Sequence, residues 1–141
     1  MNYFVTGGTG FIGRFLVARL LKREGAVVYL LCRKSSQSKY YDLMDELGAT
    51  EQQLIPVYGD ISQPSLVSAD DLAKLKGTID HVFHLAAIYD MNMSEAEGEA
   101  INNQGTRNVV NFANQFFLRR SGIRIVQISA EIITRTLPFY C

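Results

Sequence analysis

The sequence predicts an α/β fold, a doubly wound parallel sheet of about five strands, on three observations. Five short apolar runs alternate with segments of helical spacing. A glycine-rich turn separates the first run from the first helical segment. No repeat, low-complexity stretch or proline-rich linker divides the 141 residues, which hold 3 prolines. Strands alternating with helices pair in parallel through right-handed crossovers and give a sheet covered on both faces.

The strands are expected at Asn2 to Thr6, Val27 to Cys32, Gln53 to Tyr58, Asp80 to Leu85 and Ile123 to Ile128, each short, apolar and bounded by polar or turn residues. After Gly10, the side chains of Ile12, Phe15, Leu16 and Leu20 form one apolar stripe, which predicts a first helix. Lys39 to Leu47 reads as a second, with Gly48 as its C-terminal stop. Between Gly105 and Arg120, Val109, Val110, Ala113, Phe116 and Phe117 recur at helical spacing, and Arg119 and Arg120 suit the negative end of that helix. After the fifth strand too little chain follows for another helix and strand. One domain is therefore expected over residues 1–130, with an atypical tail at 131–141.

Composition excludes several classes of function. The 14 Lys and Arg balance 14 Asp and Glu, so the formal net charge is zero and no cationic surface for nucleic acid is expected. No apolar run approaches the ~20 residues that span a bilayer, and Met1-Asn2-Tyr3-Phe4-Val5 leads into the turn without a secretory leader. Cys32 and Cys141 are too few and too far apart for a disulfide framework or a metal site. A soluble, cytoplasmic protein is expected.

The chemistry concentrates in the turn. Residues 6–13 read Thr-Gly-Gly-Thr-Gly-Phe-Ile-Gly, with Gly7, Gly10 and Gly13 at the spacing of a dinucleotide fingerprint. Gly7 would allow the sharp exit from the strand, Gly10 close approach to a pyrophosphate, and Gly13 close packing of helix on sheet. Free N–H groups of the helix start would then face the phosphates, which places Thr9, Phe11 and Ile12 at the cofactor. In such folds an acidic residue about 20 positions on, at the end of the second strand, holds the ribose 2′-hydroxyl. Here that strand ends Leu31-Cys32-Arg33-Lys34-Ser35-Ser36. A guanidinium suits a phosphate, with Ser35 or Ser36 adding hydrogen bonds, so NADP is favoured over NAD.

With these residues in place the sequence resembles an extended short-chain dehydrogenase/reductase of the NAD(P)-dependent epimerase/dehydratase superfamily, which has a Rossmann-type sheet. The resemblance runs from Tyr3 to about Ser129. It rests on TGGTGFIG at 6–13, Gly59-Asp60-Ile61, His84-Leu85-Ala86-Ala87, and Asn102 followed by Gly105-Thr106. In detail it is similar to the fatty acyl-CoA reductase and thioester-reductase branch, through Leu-Leu-Cys-Arg-Lys-Ser-Ser and the stretch from Ile79 to Asp90. The resemblance implies that Asp60 accepts from the adenine amino group beside the Ile61 backbone. It also implies that Ala86 and Ala87 leave room for the nucleotide and that Asn102 braces the loops around the cleft. Gly105-Thr106 would begin the long helix. His84 reads as a packed strand residue rather than a catalyst.

The family's catalytic pair is a Tyr with a Lys four positions on, and no Tyr of this sequence has one. Tyr29 has Arg33 at that spacing, and Tyr140 is followed only by Cys141. The family's Ser or Thr at the end of the fifth strand falls on Ser129-Ala130, which leaves Ser129 as the candidate if the strand end shifts by one residue. The chain thus reads as the cofactor half of a larger fold that stops before the last strands and the C-terminal substrate lobe. An exposed fifth strand would invite self-association. Three functions compete: the NADP-binding portion of a reductase acting on a carbonyl or thioester, a non-catalytic nucleotide-binding sensor or scaffold, and a nonfunctional fragment.

Overall fold

The computed structural model describes residues 1–87, 91–117 and 124–127, with backbone alone for 116–117 and 124–127. Five strands, β1 (Asn2–Thr6), β2 (Val27–Cys32), β3 (Leu54–Tyr58), β4 (His81–His84) and β5 (Arg124–Gln127), form one sheet in the order β3-β2-β1-β4-β5. Every pairing is parallel; Val5 lies between Leu30 and Phe83. The strand order reverses between β1 and β4, the switch point where open α/β sheets bind ligands at their carboxyl ends.

Strand alternation sorts the core into two layers. Tyr3, Val5, Val28 and Leu30 pack under α1 (Phe11–Leu21) and α2 (Gln37–Leu47), against Val17, Leu20, Tyr40 and Leu43. Phe4, Leu31, Val57 and Val82 face α3 (Ala69–Leu75) and α4 (Glu95–Phe117), where the rings of Phe4 and Phe112 lie 4.8 Å apart. Residues of both parities are therefore buried, as parallel sheets require. Polar residues at the bottom set the register of β4: Asp80 accepts from the Asn2 N–H (2.8 Å), and the Asn2 amide donates to the Thr78 carbonyl (2.9 Å).

The strands agree with the pattern of apolar runs to within a residue at each end, and Gly48 caps α2 with φ 60°. A 3-10 turn at Lys34–Ser36 precedes α2, which starts at Gln37 rather than Lys39. The short α3 is not expected from the apolar pattern, although Ser68 caps it by accepting from the Asp71 N–H (3.2 Å). The larger correction concerns α4, which begins at Glu95 and not at Gly105-Thr106. Ser94 and Glu97 form a reciprocal capping box there, Glu97 N–H to Ser94 Oγ (3.2 Å) and Ser94 N–H to Glu97 Oε2 (3.0 Å). Hydrogen bonding from Ser94, first its backbone N–H and then its side chain, holds the Glu97 carboxyl below the usual carboxylate range. Gly105 lies inside the helix because Ile61 crosses it closely; a Cβ there would stand 3.1 Å from Ile61 Cδ1.

Arg119, Arg120, Ser129, Ala130, Tyr140 and the tail 131–141 lie outside the described residues. Among the described residues no helix is long and apolar enough to cross a membrane.

Candidate functional site

A cleft of about 270 Å³ opens at the carboxyl ends of β1 to β4. Four segments wall it: Thr6, Gly7, Thr9 and Gly10 after β1; Leu31, Cys32, Arg33, Ser36 and Lys39 beyond β2; Gly59 to Ile61 after β3; and Leu85 to Ala87 after β4.

The turn after β1 is made of backbone in contact with backbone. Gly7 has φ +72°, and a Cβ on it would stand 2.5 Å from the Ala86 nitrogen. A Cβ on Gly13 would stand 2.0 Å from the Gly7 carbonyl oxygen. No side chain fits at either place, so α1 starts pressed on the turn. Gly10 is its N-cap, with no side-chain cap bond and no acidic residue in the first turn. The N–H groups at that end have no intrahelical acceptor, and with the helix dipole they favour an anion.

Opposite the turn the wall is built from side chains. Asp60 accepts from the Ser62 N–H through Oδ1 (2.9 Å), which fixes the carboxylate, while its own N–H donates to the Leu66 carbonyl (2.9 Å). Leu66 adopts φ 59°, an uncommon conformation for a branched residue, and holds this return of the chain under the loop. Cys32 is buried in the cleft floor, and burial pushes its thiol above its ordinary pKa, so it stays protonated and neutral at physiological pH. Arg33 and Lys39 bring two cations to the end beyond β2, with Ser36 between them.

The cleft thus gathers nine of the residues singled out from the sequence: Gly7, Thr9, Gly10, Arg33, Ser36, Asp60, Ile61, Ala86 and Ala87. Gly13 is buried on α1 beneath the turn, and Phe11 and Ile12 occupy the exposed first turn. Asn102 is half-buried on α4, away from the lining. Lys39 joins Arg33 in the lining, because the 3-10 turn before α2 leads that helix to present its first cation to the cleft. Asn108 also ties α4 to a loop of the cleft: its buried amide donates to the Ile61 carbonyl (2.8 Å). Asn108 stands six positions after Asn102 on an otherwise apolar helix face with Val109 and Phe112, and that position is its only signal in the sequence.

The family model for male sterility protein, an NAD-binding family (NAD_binding_4), matches residues 5–137. The chain belongs to this family. It is 32% identical to the fatty acyl-CoA reductase wat of Drosophila melanogaster, over 98% of this chain and 28% of that protein. It is 33% identical to a linear gramicidin synthase of Brevibacillus parabrevis, over 77% of this chain and 2% of that protein. Among solved structures it is similar to the terminal R domain of the myxalamid PKS-NRPS pathway, with TM-score 0.67 and 29% identity over 89% of this chain and 34% of that one. It is also similar to yeast methylglyoxal/isovaleraldehyde reductase Gre2 complexed with NADPH, with TM-score 0.72 and 25% identity over 90% of this chain and 36% of that one. The chain spans about a quarter of the length of the fatty acyl-CoA reductases it matches. It is an NAD(P)-binding, Rossmann-type domain of the reductase kind. The cleft fits that cofactor: a helix start without its own anionic cap lies at a turn where Gly7 and Gly13 leave no room for a Cβ, with two cations at the far end.

Proposed function

We propose that the chain is the NADP-binding portion of a short-chain dehydrogenase/reductase-type oxidoreductase acting on a carbonyl or thioester. The choice of cofactor rests on Arg33, Ser36 and Lys39 at the end of the cleft beyond β2, where no carboxylate stands to take a ribose 2′-hydroxyl. A guanidinium, an ammonium and a hydroxyl lining one cleft suit a phosphate monoester. Gly7 and Gly10, with the amides of Phe11, Ile12 and Gly13 and the nearby Thr9, take the pyrophosphate. Asp60 has Oδ2 left to accept from the adenine amino group, beside Ile61. Ala86 and Ala87 keep the wall low, and Asn102 braces the loops around the cleft. When bound, the reduced nicotinamide would supply hydride. Relatives named fatty acyl-CoA reductases support a thioester as the oxidised partner.

The 141 residues contain no Tyr with a Lys four positions on, and Ser129 alone offers a family-type hydroxyl. By themselves they are therefore proposed to bind without turnover, in the cytoplasm, over a domain of residues 1–130. The same absence supports a second reading, a nucleotide-binding sensor or scaffold. β5 pairs with β4 alone among the described residues, so its outer edge is proposed as the site of self-association.

Titrating the chain with NADPH and NADH and following nucleotide fluorescence tests the cofactor. Tighter NADPH binding is expected; a preference for NADH refutes the phosphate site, and no binding of either sinks both readings. Oxidation of NADPH by the isolated chain with an aldehyde or acyl-CoA would contradict the lack of turnover. Light scattering at micromolar concentration is expected to show dimers or larger species, and a monodisperse monomer would remove the edge contact.

A further inference from the structure

His84 is buried at the end of β4, inside a run of otherwise apolar residues. Its two ring nitrogens both have partners: Nδ1 lies 2.6 Å from Thr6 Oγ1 on β1, and Nε2 lies 3.2 Å from Thr106 Oγ1 on α4. Thr6 is buried as well, and its hydroxyl oxygen accepts from the Ala86 N–H (3.2 Å) while its carbonyl accepts from the Leu85 N–H (3.1 Å). Thr6 thus holds both amides that open the wall after β4. Ala86 is in turn the residue against which Gly7 is pressed.

The proton arrangement follows from counting donors. A threonine hydroxyl has one proton to give and two lone pairs. The Thr6 oxygen is already an acceptor for Ala86, and among the described residues the acceptor near its proton is His84 Nδ1. Burial lowers the pKa of His84, which keeps the ring neutral with one nitrogen free to accept. The single ring proton then belongs on Nε2, where it donates to Thr106.

We propose that His84 is a positioning residue for the nucleotide cleft: as the Nε2–H tautomer it takes the Thr6 hydroxyl proton, turns the Thr6 lone pairs to the Ala86 N–H, and ties this unit to Thr106 of α4. This rests on the cleft binding a nicotinamide nucleotide. The same turn of α4 carries Asn108, which holds the Ile61 carbonyl on the opposite wall. One stretch of helix, Thr106 to Asn108, therefore sets the separation of the two walls. His84 is the link by which it reaches the wall at Ala86.

Two substitutions divide the roles of the ring. In His84→Asn the amide oxygen falls near Nδ1 and can still accept from Thr6, without reaching Thr106. In His84→Gln the amide reaches toward Thr106 and leaves the Thr6 proton without its acceptor. For the 141-residue chain, NADPH affinity is expected to weaken about threefold in His84→Asn, which loses only the tie to Thr106, and about tenfold in His84→Gln and in Thr6→Val, which lose the bond that orients Thr6. The double variant Thr6→Val/His84→Gln is expected to lose no more than either single one, since both cut one chain. Nitrogen NMR of wild type is expected to show a protonated Nε2 and an unprotonated Nδ1, a readout that needs no variant to fold. A proton on Nδ1, or wild-type affinity in a folded His84→Gln, overturns the inference. Equal losses in the Asn and Gln variants would also overturn it, by reducing His84 to a core residue. If wild type binds neither NADPH nor NADH, the cofactor reading falls and the positioning role falls with it. NADPH binding unaffected by either substitution removes the positioning role alone.

Discussion

The two ends of the cleft are built from different materials. The turn after β1 is backbone against backbone: Gly7 on Ala86, Gly13 on Gly7, and the uncapped start of α1. The end beyond β2 is side chains on the surface, Arg33 and Lys39 about a 3-10 turn. A backbone wall fixes geometry and cannot be altered without disturbing the sheet. A side-chain wall carries charge and can be changed at little cost to the fold. The first suits the part of a ligand that is always the same, a pyrophosphate, and the second the part that distinguishes one cofactor from another.

The largest effect expected from this contrast is at Gly13. Gly13→Ala puts a methyl 2.0 Å from a carbonyl oxygen that cannot swing away, and forced overpacking of this kind costs about 3 kcal/mol or more. Thermal unfolding should show a loss of that order, with nucleotide binding gone. Gly25→Ala is the control: its φ is +71° but nothing lies within 4 Å, so about 1 kcal/mol is expected from backbone conformation alone. Equal losses at the two positions would erase the distinction between a tight turn and an open one.

At the other end, replacing both Arg33 and Lys39 by alanine should weaken NADPH by about 10- to 100-fold and leave NADH nearly unchanged, because charge-assisted bonds to a phosphate are the strong ones. The melting temperature should hardly move. A parallel loss for both nucleotides would mean that these cations shape the cleft rather than read a phosphate.

A smaller effect separates the buried middle of the cleft from its exposed rim. Burial holds His84 below its ordinary value of 6.5, so the folded state binds a proton less readily than the unfolded chain. Its contribution to stability is complete above about pH 6.5 and declines as pH falls from there toward the folded value. Denaturant unfolding of wild type at pH 7.5 and 5.5 should show this loss, and His84→Asn should reduce it. An unchanged pH dependence in the variant would assign the loss to other groups. The smallest effect is expected at the rim of the helices, where Arg14 pairs with Glu46 across α1 and α2 with both side chains about half exposed. Arg14→Ala should cost at most about 0.5 kcal/mol, as exposed pairs do.

Much of the fold and of the turn is legible in the order of residues alone. Alternation of apolar runs and helical stripes implies the sheet, since burial on both faces demands continuous apolar strands. The spacing of Gly7, Gly10 and Gly13 implies the turn, since local steric limits act through neighbours in sequence. The start of α4 is legible too, in Ser94 and Glu97, but the later Gly105 draws the expected boundary away from it.

By itself, the sequence determined the strand and helix alternation, the glycine turn after β1 and a cation after β2. Each of these depends on contacts within a few residues or on composition along one segment. Only the tertiary structure decided that Lys39 joins Arg33, that Asn108 holds Ile61, and that His84 joins Thr6 to Thr106. Those pairings cross 22 to 78 positions for His84 and 47 for Asn108. They exist because a parallel sheet brings strand ends from distant parts of the chain to one edge, where buried polar groups must find partners that no local pattern names.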